Sequence, residues 1–193
     1  MTIGVKTPQK VWTEAELKAL PDDGCLHEVV DGNLTMSPKN DFYHGRICTC
    51  LSSALRTYAI EHRLGVVLDS STGFWMHNRN CRAPDISFVT RSRLAQLGFK
   101  PTARQFFPGA PDLAVEILSP TNPKADLDAR LKDFFSSGSQ LVWLVDRDSR
   151  TVQVWHSLED RVMLSSDGSL DGEKLLPGFS LPVATLFKEW DWE

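Results

Sequence analysis

The sequence is poor in the features that would place a chain outside the ordinary class of cytoplasmic proteins. No apolar run approaches the roughly 20 residues that a membrane-spanning helix needs, so no membrane association is expected. The first ten residues lack the apolar stretch of a secretory signal, and the expected location is the cytoplasm. There are only four cysteines, Cys25, Cys48, Cys50 and Cys81. They form no CxxC pair and no Cys/His group with zinc-ligand spacing, which argues against a disulfide framework and a structural zinc site. Reduced, partly buried thiols are expected. Cys48 and Cys50, two apart on a helical stretch, point in nearly opposite directions. There is no Gly-rich phosphate loop and no nucleophile elbow. No repeat or low-complexity segment divides the 193 residues, so residues 1–193 are read as one domain with its own core.

The overall charge is −4, which argues against a surface that is one continuous nucleic-acid footprint. The charge is uneven, however. Arg79, Arg82, Arg91, Arg93, Lys100 and Arg104 crowd a stretch whose one acid is Asp85. Such a stretch either steers a phosphate backbone or is paired with acids elsewhere in the fold.

The elements alternate. Thr13 and Glu16 have the capping-box spacing, so a short helix starts at Thr13 and ends before Pro21. Residues 25–30 and 33–36 read as a hairpin around Asp31-Gly32. Ile47, Leu51, Leu55, Tyr58 and His62 recur at helical spacing over residues 41–63, with Asn40 or Asp41 as cap and Gly65 just past the end. Short β-branched or aromatic strands follow at 66–68, 85–89, 113–118, 141–145 and 151–155. The runs 113–118 and 141–145 are nearly all apolar and read as central strands covered on both faces. Between them, Leu127, Leu131, Phe134 and Phe135 mark a helix over 124–137 that stops at Gly138. Strand, helix, strand predicts a parallel pair. Residues 152–155 and 161–164 predict a hairpin, and residues 181–193 a short packed helix. The fold class is α/β: a mixed sheet flanked by helices, with an N-terminal hairpin and a C-terminal β extension.

Two strands carry an acid among apolar neighbours. One reads Arg82-Ala83-Pro84-Asp85-Ile86-Ser87-Phe88-Val89. The other reads Pro111-Asp112-Leu113-Ala114-Val115-Glu116-Ile117-Leu118. An ionised carboxylate in such a place is costly unless it is paired or holds a metal. Asp112 and Glu116 share a face but stand ~13 Å apart along one strand, too far to chelate one ion. Asp85 on a neighbouring strand can approach Glu116 at the inter-strand spacing of about 4.8 Å. Two carboxylates so placed suit Mg²⁺ or Mn²⁺, hard ions that prefer oxygen. A metal-bound water is the nucleophile that phosphodiester hydrolysis needs.

The order and spacing of several segments resemble the Uma2 family, also called DUF820, of the PD-(D/E)xK nuclease superfamily. They are His27-Glu28-Val29-Val30-Asp31-Gly32, Met36-Ser37-Pro38, His44-Gly45-Arg46, the two acid-bearing strands, and Gly138 with Leu141-Val142-Trp143-Leu144-Val145-Asp146. The resemblance spans nearly the whole chain. It implies a restriction endonuclease-like core of four or five strands and a Mg²⁺- or Mn²⁺-dependent endonuclease acting on DNA. It implies Asp85 as first metal ligand, Glu116 as the acid of the (D/E)xK element, Glu28 as an acid pointing to the same site, and His44 as a site-edge residue. A pairing of Glu28 with a base such as Arg46 and a satisfied core histidine at position 44 are the alternatives.

The chain departs from the superfamily at the lysine. Leu118 stands two residues after Glu116, where the pattern has Lys. The resemblance moves the lysine to the following helix, four residues before Phe134, and there the residue is Arg130, with Lys132 nearby. On a helical wheel Arg130 lies ~85° and Lys132 ~115° from the apolar centre, on opposite flanks. Asp126 is the i,i+4 partner of Arg130. An arginine stays charged and cannot act as a base, but it can stabilise phosphate charge. The second reading is therefore a non-catalytic member that binds nucleic acid or protein. Asp112 is expected to fix the turn before its strand and Asp146 to cap a strand end. The tryptophans read as core and interface anchors. Edge strands with Phe187, Trp190 and Trp192 suggest a homodimer.

Overall fold

The structure, a computed structural model, describes residues 10–37, 39–119 and 123–189. Thr13 and Glu16 close the expected capping box on α1 (Glu14–Lys18). Strands β1 (Leu26–Val30) and β2 (Asn33–Ser37) form the hairpin. Both turn residues, Asp31 and Gly32, take positive φ, as a two-residue turn of the primed type requires. Asp41 caps α2 (Phe42–Glu61) by accepting the His44 N–H. The helix ends without a glycine cap. Arg63 takes the left-handed position instead, and Gly65 opens β3 (Gly65–Asp69). A Cβ on Gly65 would lie 2.1 Å from the Val89 carbonyl oxygen, so the glycine serves close strand packing.

Strands β4 (Phe74–Trp75), β5 (Cys81–Arg82) and β6 (Ile86–Thr90) lead to α3 (Arg91–Gln96), followed by β7 (Phe107–Pro108) and β8 (Leu113–Leu118). Helix α4 (Lys124–Ser136) crosses over to β9 (Leu141–Asp146), which lies parallel to β8 as the crossover rule requires. Then come β10 (Thr151–Trp155), β11 (Arg161–Leu164), β12 (Ser169–Asp171), β13 (Ser180–Pro182) and α5 (Val183–Phe187).

The main sheet has six strands in the order β11-β10-β9-β8-β6-β3, one or two more than the resemblance implies, because the C-terminal hairpin extends it. A second, five-stranded sheet runs β2-β1-β5-β4-β7. Both faces of the main sheet are covered. On one, Ile47, Leu51 and Leu55 of α2 pack on Phe88, Val115 and Trp143. On the other, Leu131 and Phe134 of α4 pack on Ala114, Val142 and Leu144. This explains why β8 and β9 are apolar along their length. Each such large side chain stabilises the fold by about 1.5–3 kcal/mol. Phe187 belongs to this core at 3 % exposure, so it does not offer an outer surface to a second copy. Trp190 and Trp192 lie outside the described residues.

The basic stretch is partly structural. Arg82 is 1 % exposed and pairs with Glu28 and Asp133. Arg93 donates to Asp112 and to the carbonyls of Ser137 and Gly138. Asp112 also accepts the Thr90 N–H and the Gln140 amide, and so fixes the start of β8. Asp146 accepts the N–H groups of Asp148 and Ser149 at the end of β9.

Candidate active site

The acids meet at the end of the β6–β8 ladder. Ile86 pairs with Val115 in antiparallel register, so Asp85 stands one step beyond, across from Glu116. With the ladder ended, the Ile117 N–H has no strand partner on that side. Asp85 Oδ2 accepts it at 2.8 Å. His44, one turn into α2 and buried, places Nε2 3.2 Å from the same oxygen. Asp85 Oδ1 has no hydrogen-bond partner among the described residues.

Glu116 alternates along β8 with Val115 and Ile117, which point into the core under α2. Its own side chain therefore emerges on the α4 face. There Arg130 Nη1 donates to Glu116 Oε1 at 2.8 Å, and Oε2 has no partner among the described residues. Arg130 also donates from Nη1 to Glu28 Oε1 at 3.1 Å and from Nη2 to Glu28 Oε2 at 2.7 Å. Asp126 lies 3.7 Å from its Nε. Glu28 is buried on β1 and has both oxygens engaged, because the Ala83 N–H and Arg82 Nη1 donate to it as well. Its partners are Arg82 and Arg130, not Arg46, which donates to the carbonyls of Leu186 and Lys188.

These side chains line a cleft of about 180 Å³ together with Asn40 and Leu118. Leu118, at the superfamily's lysine position, contributes only an apolar wall. Lys132 is not brought in. It is exposed and lines a separate depression with Asn78, Arg82 and Asp133, on the other flank of α4.

The electrostatics follow from burial. Glu116 is pushed up to about 8, first by burial and then by the charges of Asp85 and Glu28, while Arg130 opposes the shift. Burial works against the Arg130 charge, but Glu116, Glu28, Asp126 and Asp85 hold it above its usual value. Cys48, one turn after His44, has its thiol raised to about 12 by burial beside Asp85 and Glu116. Its Sγ lies 3.4 Å from His44 Nδ1. His44, Cys48 and Asp85 also bring one potential ligand atom each within 4.8 Å of one another. In the metal-free chain hydrogen bonds join the three, from Cys48 to His44 and from His44 to Asp85.

Sequence reasoning missed several members of this arrangement. Arg82 and Asp133 form a buried pair behind Glu28, and Asn78 and Asn80 complete it by donating to Asp133. The i,i+4 spacing of His44 and Cys48 was a readable signal for their contact.

The match to known proteins agrees with this fold. A family model, Uma2, described as "Putative restriction endonuclease", matches residues 14–184. The chain belongs to the Uma2 family. Among solved structures it is similar to a protein from Anabaena variabilis ATCC 29413, titled a "putative nuclease belonging to DUF820". The identity is 22 %, the match covers 91 % of this chain and 97 % of that one, and the TM-score is 0.77. No curated protein matches. The fold of this Uma2 chain is thus the mixed α/β fold of that protein, with its helices on both faces of the main sheet.

Proposed function

We propose that this Uma2 protein is a divalent-metal-dependent endonuclease that hydrolyses phosphodiester bonds in DNA, with Mg²⁺ or Mn²⁺ held by Asp85 and Glu116. The observation that carries the reading is the cross-strand placement of these two acids at the cleft, each with one oxygen unengaged among the described residues. The donor set fits a hard ion, which prefers oxygen ligands and keeps several waters. The charge fits as well. Glu28, Asp85, Glu116 and Asp126 outnumber Arg130 and the shared Arg82, and this surplus adds to the burial that pushes Glu116 up to about 8. When bound, the ion activates a water and offsets charge that develops on the phosphate.

The chain's own residues do the rest. Ile117 and His44 hold Asp85 Oδ2 and so set the direction of Oδ1. Arg130 holds Glu116 against Glu28. A guanidinium has five N–H groups, and Glu28 and Glu116 take three of those on Arg130. Arg130 cannot accept the proton of the attacking water; its role is to stabilise negative charge. Incubation of supercoiled plasmid with Mg²⁺ or Mn²⁺ tests the proposal. Nicking that Asp85→Asn and Glu116→Gln both abolish is expected; nicking that survives both excludes this site.

One observation favours a second reading, a binding domain without catalysis. The only cation bonded to Glu116 among the described residues is an arginine with most of its donors committed to carboxylates. Metal binding without cleavage of any DNA substrate would support it.

A further inference from the structure

His44 and Cys48 stand four residues apart on α2, so their side chains share a face of the helix. The thiol meets the ring at Nδ1, and Asp85 meets it at Nε2. A neutral imidazole carries one N–H and one lone pair. The carboxylate can only accept, and Asp85 Oδ2 already accepts from Ile117. The ring hydrogen therefore belongs on Nε2. Nδ1 is then an acceptor, and it faces the Cys48 thiol at 3.4 Å. The reverse assignment would set an Nε2 lone pair against a carboxylate oxygen, and would aim Nδ1–H at sulfur, a weak acceptor.

We propose that Cys48 and His44 are positioning residues for Asp85. The Cys48 thiol donates to His44 Nδ1, and the Nε2–H that this leaves holds Asp85 Oδ2, so that only Oδ1 turns to the cleft. The consequence for metal binding rests on the reading of Asp85 as a ligand; the relay itself is a property of the metal-free chain. Groups that orient a ligand in this way typically govern metal affinity by about 10–100-fold. Without the His44 donor only the Ile117 N–H holds Oδ2, and the Asp85 carboxylate gains freedom to rotate between one-oxygen and two-oxygen binding. Without the thiol, Nδ1 is a buried acceptor with no donor, and the ring is free to turn from Asp85.

The test combines a spectrum with a rescue series. Nitrogen-15 NMR of the histidine rings in the metal-free protein should show His44 protonated at Nε2 and bare at Nδ1. Calorimetric titration with Mn²⁺ should show His44→Ala weakened by about tenfold or more. His44→Gln, which keeps an N–H donor at the far end of the side chain, should recover most of that loss. Cys48→Ala should weaken binding less than His44→Ala, and Cys48→Ser, which keeps a donor, should restore it. A ring protonated at Nδ1 or at both nitrogens overturns the relay, as does a His44→Gln variant as weak as His44→Ala. A thiolate-to-metal absorption band on titration with Co²⁺ also overturns it, since Cys48 would then be a ligand. If the wild-type chain binds no Mn²⁺ at all, the metal reading of Asp85 falls, and the His44 spectrum alone decides the relay.

Discussion

Arg130 Nη1 donates to Glu116 Oε1 across 2.8 Å, which ties α4 to the acid in the middle of the main sheet. The same guanidinium holds Glu28, so three elements meet on one cation. Arg130→Met leaves two partly or fully buried carboxylates without it. Removing one partner of a buried pair costs about 3–5 kcal/mol, and the proton that Glu116 already holds near neutral pH keeps the loss at the low end. A loss of about 3 kcal/mol is expected in urea unfolding without divalent ions. Added Mn²⁺ should recover part of it, because an ion that binds only the folded chain stabilises it.

Arg130→Lys restores an amine that can exchange a proton. If the site is catalytic, single-turnover cleavage should rise by up to about a hundredfold, the lower end of what a positioned acid–base group contributes. Lys132→Ala is the control. That side chain is exposed on the other flank of α4, and its removal should change stability by no more than about 0.5 kcal/mol and leave cleavage as it was.

The pH dependence has a defined sign. Glu116 has an ordinary value of 4.5 and is pushed up to about 8 in the fold. Below about 4.5 the carboxyl is protonated in both states. As the pH rises, the unfolded chain loses the proton first, so stability falls until the pH passes about 8. Urea midpoints in the presence of a chelator should therefore separate between about pH 5 and pH 8, with Glu116→Gln gaining on the wild type. Equal slopes for the two would contradict the raised value. Mn²⁺ binding near pH 7 should also release about one proton, read from calorimetry in buffers of different ionisation enthalpy.

Arg82 is the buried bridge between Glu28 and Asp133. Arg82→Met should destabilise the chain by about 3–5 kcal/mol in thermal or urea unfolding. It should also loosen Glu28, whose remaining donors are Ala83 and Arg130. A neutral effect would mean that the network is solvated, not buried.

Much of this was readable in the residues. Asp31-Gly32, the Asp41 cap and the strand–helix–strand pattern around α4 are local signals, and each governs only a few neighbouring residues. The approach of Asp85 to Glu116 was readable because strand spacing leaves few alternatives. The contacts of Glu28 were not. Its cation comes from residue 82 or 130 depending on how β1 meets β5 and α4, and no periodicity in the sequence carries that information. Lys132 and Arg130 looked alike on a wheel drawn from one helix. The sheet under α4 decides which flank faces the acids. Gly65 was misread for a related reason: its role is the close approach of Val89, a contact across strands.

The central claim is that Asp85 and Glu116 share one divalent ion. Anomalous diffraction from crystals grown with Mn²⁺ tests it most directly. The account predicts one peak between Asp85 Oδ1 and Glu116 Oε2, with His44 still on Asp85 Oδ2. A peak on Cys48 and His44, or a cleft with no peak at saturating Mn²⁺, would contradict it.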